Sequence, residues 1–219
     1  MKLTERLYQA AAPIWQQSLA HPFITALGDG SLPLEQFRFY MRQDYVFLID
    51  YSRLLALATA KAPDLETMGR FARLLDATLN QEMAFHRSFA AEFDITAEDL
   101  ANTKAAPTAR AYTSHLLRVA SLGDIAETVA ALLPCQWGYT EIGQTLAQRG
   151  KPVTAPFCAR WIDMYASPEF AALSTWMREV LDAYEGVSNT ARLTETFCTS
   201  ARYEYMFWEM AYRMEEWTV

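Results

Sequence analysis

Apolar residues recur three and four positions apart, not at alternate positions, through almost every long stretch of this 219-residue sequence. That period matches one face of an α-helix. The same stretches are rich in Ala, Leu, Glu, Gln, Arg and Met, which lose little side-chain freedom in a helix. Only eight glycines interrupt them. No Asn-Gly or Asp-Gly turn joins two alternating runs, and no Gly-rich phosphate loop follows a strand-like run. The pattern predicts an all-α fold.

Helix limits follow from the punctuation. Thr4 starts a first helix reaching Ala20, with a kink expected at Pro13. His21-Pro22 opens a second, ending near Gly28-Asp29-Gly30, and Ser31-Leu32-Pro33-Leu34-Glu35 caps a third that runs to about Lys61. Pro63-Asp64 separates it from a fourth, Leu65 to Phe93, and Asp94 to Pro107 reads as a mostly polar connection. Thr108 to Ser121, Gly123-Asp124 to Arg149, Pro156 to Tyr165, Pro168 to Tyr184 and Leu193 to about Trp217 complete the set. With no internal repeat, low-complexity tract or linker, residues 1–219 are expected to form one helical-bundle domain.

Composition narrows the function. At 52% apolar residues, a chain of this length buries roughly 70% of its unfolded surface without a disulfide or metal staple. Nineteen Lys and Arg against 26 Asp and Glu give a net charge of −7, and no segment gathers the basic residues. A nucleic-acid partner is therefore not expected. Cys135, Cys158 and Cys198 are odd in number and far apart, which argues against a disulfide framework. No apolar run approaches the ~18 residues of a membrane span, and Met1-Lys2-Leu3-Thr4-Glu5-Arg6 lacks the apolar core of a secretory signal. The expected compartment is the cytoplasm, where thiols stay reduced.

Three places could carry chemistry. In Leu132-Leu133-Pro134-Cys135-Gln136-Trp137-Gly138-Tyr139, Pro134 lies well inside a helical pattern, and Cys135 and Tyr139 share one face. The plainer reading is a small apolar cysteine filling core space. Glu204 shares its face with Phe207 and Trp208, where an acid in apolar surroundings would hold its proton to higher pH; the plainer reading pairs it with Arg202 or solvent. Asp44 follows Tyr40 and precedes Phe47, Leu48 and Tyr51 on one helix face. A carboxylate among aromatics suits a flat, nitrogen-bearing ring, although a structural bond to a neighbouring tyrosine would serve equally. Glu82 and His86, four apart, supply two ligands of the four to six that a metal needs, and a helix-surface hydrogen bond is the default. His115 has no acid three or four positions after it, and His21 reads as a helix-start residue.

Taken in order, these residues resemble the TenA family, also called thiaminase II. The resemblance runs along nearly the whole chain: His21-Pro22-Phe23, Gln43-Asp44-Tyr45 with Leu48, Tyr112, Pro134-Cys135 with Tyr139, and Glu141-Ile142-Gly143. Trp161-Ile162 with Tyr165, Ser167, Glu169-Phe170, and Glu204 with Phe207-Trp208 continue it. It implies a haem-oxygenase-like helical fold, a homotetramer, and neither metal nor organic cofactor. It also implies a reaction in thiamin salvage. Family members of the cysteine type hydrolyse 4-amino-5-aminomethyl-2-methylpyrimidine to the 5-hydroxymethyl compound and ammonia, and many cleave thiamin at the same methylene. By that pattern Cys135 is the nucleophile and Glu204 the acid and base. Asp44 reads the amino edge, and Phe47, Tyr51, Tyr112, Tyr139, Tyr165 and Phe207 line the ring. Position 47 departs from the family's usual tyrosine, which keeps stacking and removes a hydroxyl.

Rival readings are a DNA-binding activator, which the acidic charge disfavours, an iron oxidase of the same fold resting on Glu82 and His86, and a protein that binds pyrimidines without turnover. Cys135 separates the last from a hydrolase, since binding alone needs no thiol beside an acid. Trp15, Phe37, Phe71 and Trp176 could supply an interface between subunits or belong to the core.

Overall fold

The computed structural model describes residues 1–219. Its helices are α1 (Leu3–Leu19), α2 (Pro22–Asp29), α3 (Leu34–Lys61), α4 (Leu65–Ala77), α5 (Met83–Ala91), α6 (Ala97–Asn102), α7 (Pro107–Leu122), α8 (Ile125–Arg149), α9 (Pro156–Tyr165), α10 (Pro168–Asp182) and α11 (Thr190–Arg213). A π-helical turn, Thr78–Glu82, joins α4 to α5. The all-α expectation holds. Two compact units emerge, one of residues 1–32 with 129–209 and the other of residues 33–128 with 210–219.

In the first unit α1 buries Leu3, Leu7, Ala11 and Trp15, spaced by four, and packs against α2 and α10. His21 caps α2: its Nδ1 accepts from the Phe23 N–H at 3.1 Å, with Pro22 preset for the first helical position. Ser167 and Pro168 do the same for α10. Pro134 lies inside a continuous α8, where its missing N–H leaves the carbonyl one turn back without its usual donor. Between α8 and α10 the Thr140 and Ser174 hydroxyls lie 2.7 Å apart, and both reach the Gln136 carbonyl. The approach of α8 to α9 depends on Gly143. A Cβ there would stand 2.6 Å from the Tyr165 carbonyl carbon and 2.8 Å from the Ala166 nitrogen, both backbone atoms.

In the second unit α3 packs against α4, α5, α6 and α7. Asp64 caps α4 through the Thr67 N–H at 2.8 Å, and Lys61 closes the far end of α7 by donating to the carbonyls of Ala120 and Gly123, both at 2.5 Å. The buried Gln43 side chain donates to the Lys104 carbonyl at 3.1 Å and accepts from the Ala106 N–H at 2.8 Å, pinning the segment before α7.

Several boundaries differ from the expectation, among them the start of the last helix, at Thr190 and not Leu193. The span read as one helix from Leu65 to Phe93 carries the π-turn and stops at Ala91. The polar connection holds α6, started by a reciprocal capping box in which Thr96 and Asp99 satisfy each other's backbone N–H. The last helix ends at Arg213, because Met214 turns left-handed at φ 50° and the tail folds back. There Glu215 accepts from the Thr108 N–H at 2.9 Å, capping α7, and Trp217 donates to the Ala105 carbonyl at 3.0 Å. Trp15, Phe37, Phe71 and Trp176 are all buried in the core, which removes them as subunit-contact residues.

Alanine normally stabilises a helix interior by about 1 kcal/mol over glycine. Gly143→Ala should do the reverse, lowering stability by about 1–3 kcal/mol because rigid backbone must move to admit the methyl group. A fall in thermal midpoint against wild type checks this; a rise would mean that α8 and α9 separate without cost.

Candidate active site

The candidate residues fall into two groups, one in each unit. Asp44, Phe47, Tyr51 and Tyr112 belong to the second. Successive positions of the α3 face bury Tyr40, Asp44, Phe47, Leu48 and Tyr51 as the spacing predicts. The Phe47 ring centre lies 5.2 Å from that of Tyr112 on α7 and 6.0 Å from that of Tyr51, so three aromatic rings adjoin beside the α3 face that carries Asp44.

The partner of Asp44 is a histidine from another helix, not a neighbouring tyrosine. His86 Nε2 donates to its Oδ2 at 2.6 Å, with both side chains more than nine-tenths buried. This corrects the reading of His86 as a surface partner of Glu82. Burial opposes the imidazolium, but the hydrogen bond and charge of Asp44, joined by the charge of Glu82, outweigh it and hold the His86 pKa above its ordinary value. His86 Nδ1 faces the Glu82 backbone carbonyl one turn back without reaching full hydrogen-bond geometry. Burial raises the Glu82 carboxyl; the His86 charge works against this and the Asp44 charge with it. His86 therefore sits beside two acids, of which Asp44 is the bonded one. No group of three or more His, Cys, Asp and Glu side chains converges in the geometry of a metal site.

Cys135, Tyr139, Tyr165, Glu204 and Phe207 belong to the first unit. Tyr139 centres an aromatic cluster, 4.7 Å from Tyr165, 5.0 Å from Trp208 and 5.7 Å from Trp161. Phe207 meets Trp208 edge-on at 6.4 Å. The contribution of Trp161 to this cluster was not read from the sequence. Its signal was present, since Trp161 and Tyr165 stand one turn apart on α9 with centres 4.5 Å apart.

Glu204 is buried, as its face predicts, whereas Arg202 is exposed. Glu204 lines a cavity of about 20 Å³ together with Trp15, Pro134, Gly138, Glu141 and Trp208. That space brings the acid of α11 beside the residue preceding Cys135 in α8. A second acid, Glu141, shares the wall; burial raises its pKa against the opposing effects of Tyr8, Trp137 and Arg178, and the Tyr8 hydroxyl donates to it at 3.2 Å.

The three thiols differ sharply. Cys135 is half-buried, while Cys158 and Cys198 are buried. Burial, reinforced by the charge of Asp29, pushes Cys158 up to about 12, and burial also raises Cys198 against the charge of Arg202. His21 plays its capping part as a neutral ring: burial holds its pKa down against the pull of Glu209, to which Nε2 donates at 3.0 Å.

Residues 8–214 match the TENA/THI-4/PQQC family. The chain belongs to that family. An aminopyrimidine aminohydrolase of Halalkalibacterium halodurans is 46% identical, with 99% of this chain and 98% of the relative covered. The solved TenA homologue from P. horikoshii OT3 superposes with a TM-score of 0.92 at 33% identity, over 97% of this chain and 99% of its own. A domain of unknown function with a heme oxygenase-like fold from Shewanella denitrificans gives a TM-score of 0.74 at 16% identity, over 98% and 93%, a likeness of fold.

Two outcomes follow for this family member. Iodoacetamide near pH 8 should alkylate Cys135 first and leave Cys158 and Cys198 largely unmodified in the folded protein, as read by peptide mass spectrometry. Early modification of Cys158 would contradict its burial. The raised His86 pKa contributes stability that is complete below its unfolded value of about 6.5 and is lost as pH rises through the folded value. Denaturant melts should therefore show wild type losing stability over that interval, and His86→Gln should lack this slope.

Proposed function

We propose that this protein is an aminopyrimidine aminohydrolase of thiamin salvage, converting 4-amino-5-aminomethyl-2-methylpyrimidine and water to the 5-hydroxymethyl compound and ammonia. The near full-length identity with a relative bearing that activity in its name carries the reading. The chemistry of the two residue groups supports it. A half-buried thiol and a buried acid stand in one unit, and an acid beside aromatic rings stands in the other.

Expelling an amine from a methylene on an aromatic ring needs electron push from that ring. In the proposed course the Cys135 thiolate adds to a ring carbon while Glu204 protonates a ring nitrogen, which interrupts aromaticity and lets the protonated amine leave. Water then adds at the exposed methylene, and departure of the thiolate with return of the proton to Glu204 restores the ring. Asp44 accepts the hydrogens of the exocyclic amine. Phe47, Tyr51, Tyr112, Tyr139, Tyr165 and Phe207 provide flat apolar contact, and Tyr139, one turn from Cys135, can donate to the thiolate. Thiamin offers the same pyrimidine end and is the alternative substrate. A homotetramer in the cytoplasm completes the proposal, and sedimentation velocity of the purified chain checks the subunit count.

The deciding assay is ammonia release and product mass with the aminopyrimidine, run beside thiamin. Wild type should turn over the aminopyrimidine, and Cys135→Ser should lose on the order of 100-fold or more in kcat while retaining ligand binding, because a hydroxyl is a poor nucleophile without a strong base. Equal rates in the two proteins would remove covalent catalysis. Asp44→Ala should weaken product binding by about 1–3 kcal/mol, since the ligand's amino group then lies unpaired.

A further inference from the structure

Asp44 has one oxygen already committed. His86 approaches Oδ2 at 2.6 Å, with both side chains more than nine-tenths buried, and this leaves Oδ1 as the carboxylate's acceptor for a ligand. The imidazole reaches the carboxylate from α5, 42 residues further along the chain, and sits behind the α3 face that also carries Phe47 and Tyr51.

We propose that His86 is the positioning residue of the recognition carboxylate, fixing Asp44 by Oδ2 as a charged acceptor whose free oxygen selects a neutral ring bearing amino hydrogens over one bearing a carbonyl at the same position. The inference rests on the reading of Asp44 as the residue that meets the aminopyrimidine. It adds what keeps that residue an acceptor. His86 holds the carboxylate by one oxygen, so that Oδ1 is turned to present its lone pairs to the amino hydrogens. The imidazolium cancels the carboxylate's charge without covering both oxygens, so the pair gives a strong hydrogen-bond acceptor of no net charge, matched to a neutral amine better than to a cation. The charged groups facing His86 are Asp44 from α3 and Glu82 from the π-turn, and the raised pKa of the Glu82 carboxyl limits competition for the same cation.

The test is calorimetric binding of 4-amino-5-hydroxymethyl-2-methylpyrimidine and of its 4-oxo analogue, at about pH 6 and pH 8. His86→Gln can still donate to Oδ2 but carries no charge. Its affinity for the amino compound should fall about tenfold at pH 6, and both this deficit and the loss of preference for amino over oxo should narrow as pH rises through the folded His86 value. His86→Leu should show the loss at both pH values. In an Asp44→Ala background, either change should alter affinity less than about twofold, because the residue acts through Asp44. Should His86→Leu fail to fold with an unmatched acid in the core, His86→Gln and the Asp44→Ala/His86→Leu pair decide the matter alone. Wild-type affinity and preference in His86→Gln, with binding weakened in Asp44→Ala, would overturn the inference and leave the Asp44 reading intact. A loss that is uniform in pH and persists without Asp44 would reduce His86 to a scaffold. Wild-type binding in Asp44→Ala would sink the Asp44 reading itself, and this inference with it.

Discussion

A carboxylate taken out of water has to be matched, and in the second unit that requirement organises everything near the α3 aromatic face. Asp44 is buried at 6% exposure, at a depth where an isolated charge would cost several kcal/mol. His86 meets it, and this single contact ties the middle of α3 to α5 across the π-turn. Removing either partner alone exposes the other to the full penalty of burial, so the two side chains stand or fall together. The rings of Phe47, Tyr51 and Tyr112 adjoin one another on and beside the same α3 face, all of them buried.

In the first unit the chemistry is sorted by environment instead of by pairing. All three cysteines are free, yet burial holds Cys158 and Cys198 as inert packing groups while Cys135 remains partly open. Tyr139 and Tyr165 are kept in register by the close approach of α8 and α9 at Gly143, where only hydrogen fits. Glu204 and Glu141 border the same small space from different helices, and burial there raises the pKa of the Glu141 carboxyl.

Much of this was legible in the sequence. The three-and-four spacing gave the helical class, and local caps marked α2, α4 and α10, because His21, Asp64 and Ser167 act on backbone within three residues. The α3 stripe placed Asp44 among buried aromatics for the same local reason. His86 was misread because its partner lies 42 residues away, beyond any helical spacing, while the nearer Glu82 offered a tempting match at four. Trp15, Phe37, Phe71 and Trp176 could not be assigned to core or interface, since both demand the same apolar side chains. The fold-back after Arg213 hinges on Met214, a residue type with no preference for a left-handed backbone, and is held by Glu215 and Trp217 on distant segments.

The π-helical turn at Thr78–Glu82 carries a geometric consequence. Such a turn accommodates roughly one residue more than an α-helical turn of the same rise, and each α-helical residue advances the face by about 100°. Were the same residues wound as plain α-helix, the imidazole would swing by about that angle around the helix axis, away from α3. Loss of a single codon within these five positions would instead restore an ordinary α-helical turn and leave both flanks facing as they do. The chain thus tolerates one residue fewer here, but not a straightened turn of the same length, even though hydropathy would barely register either change.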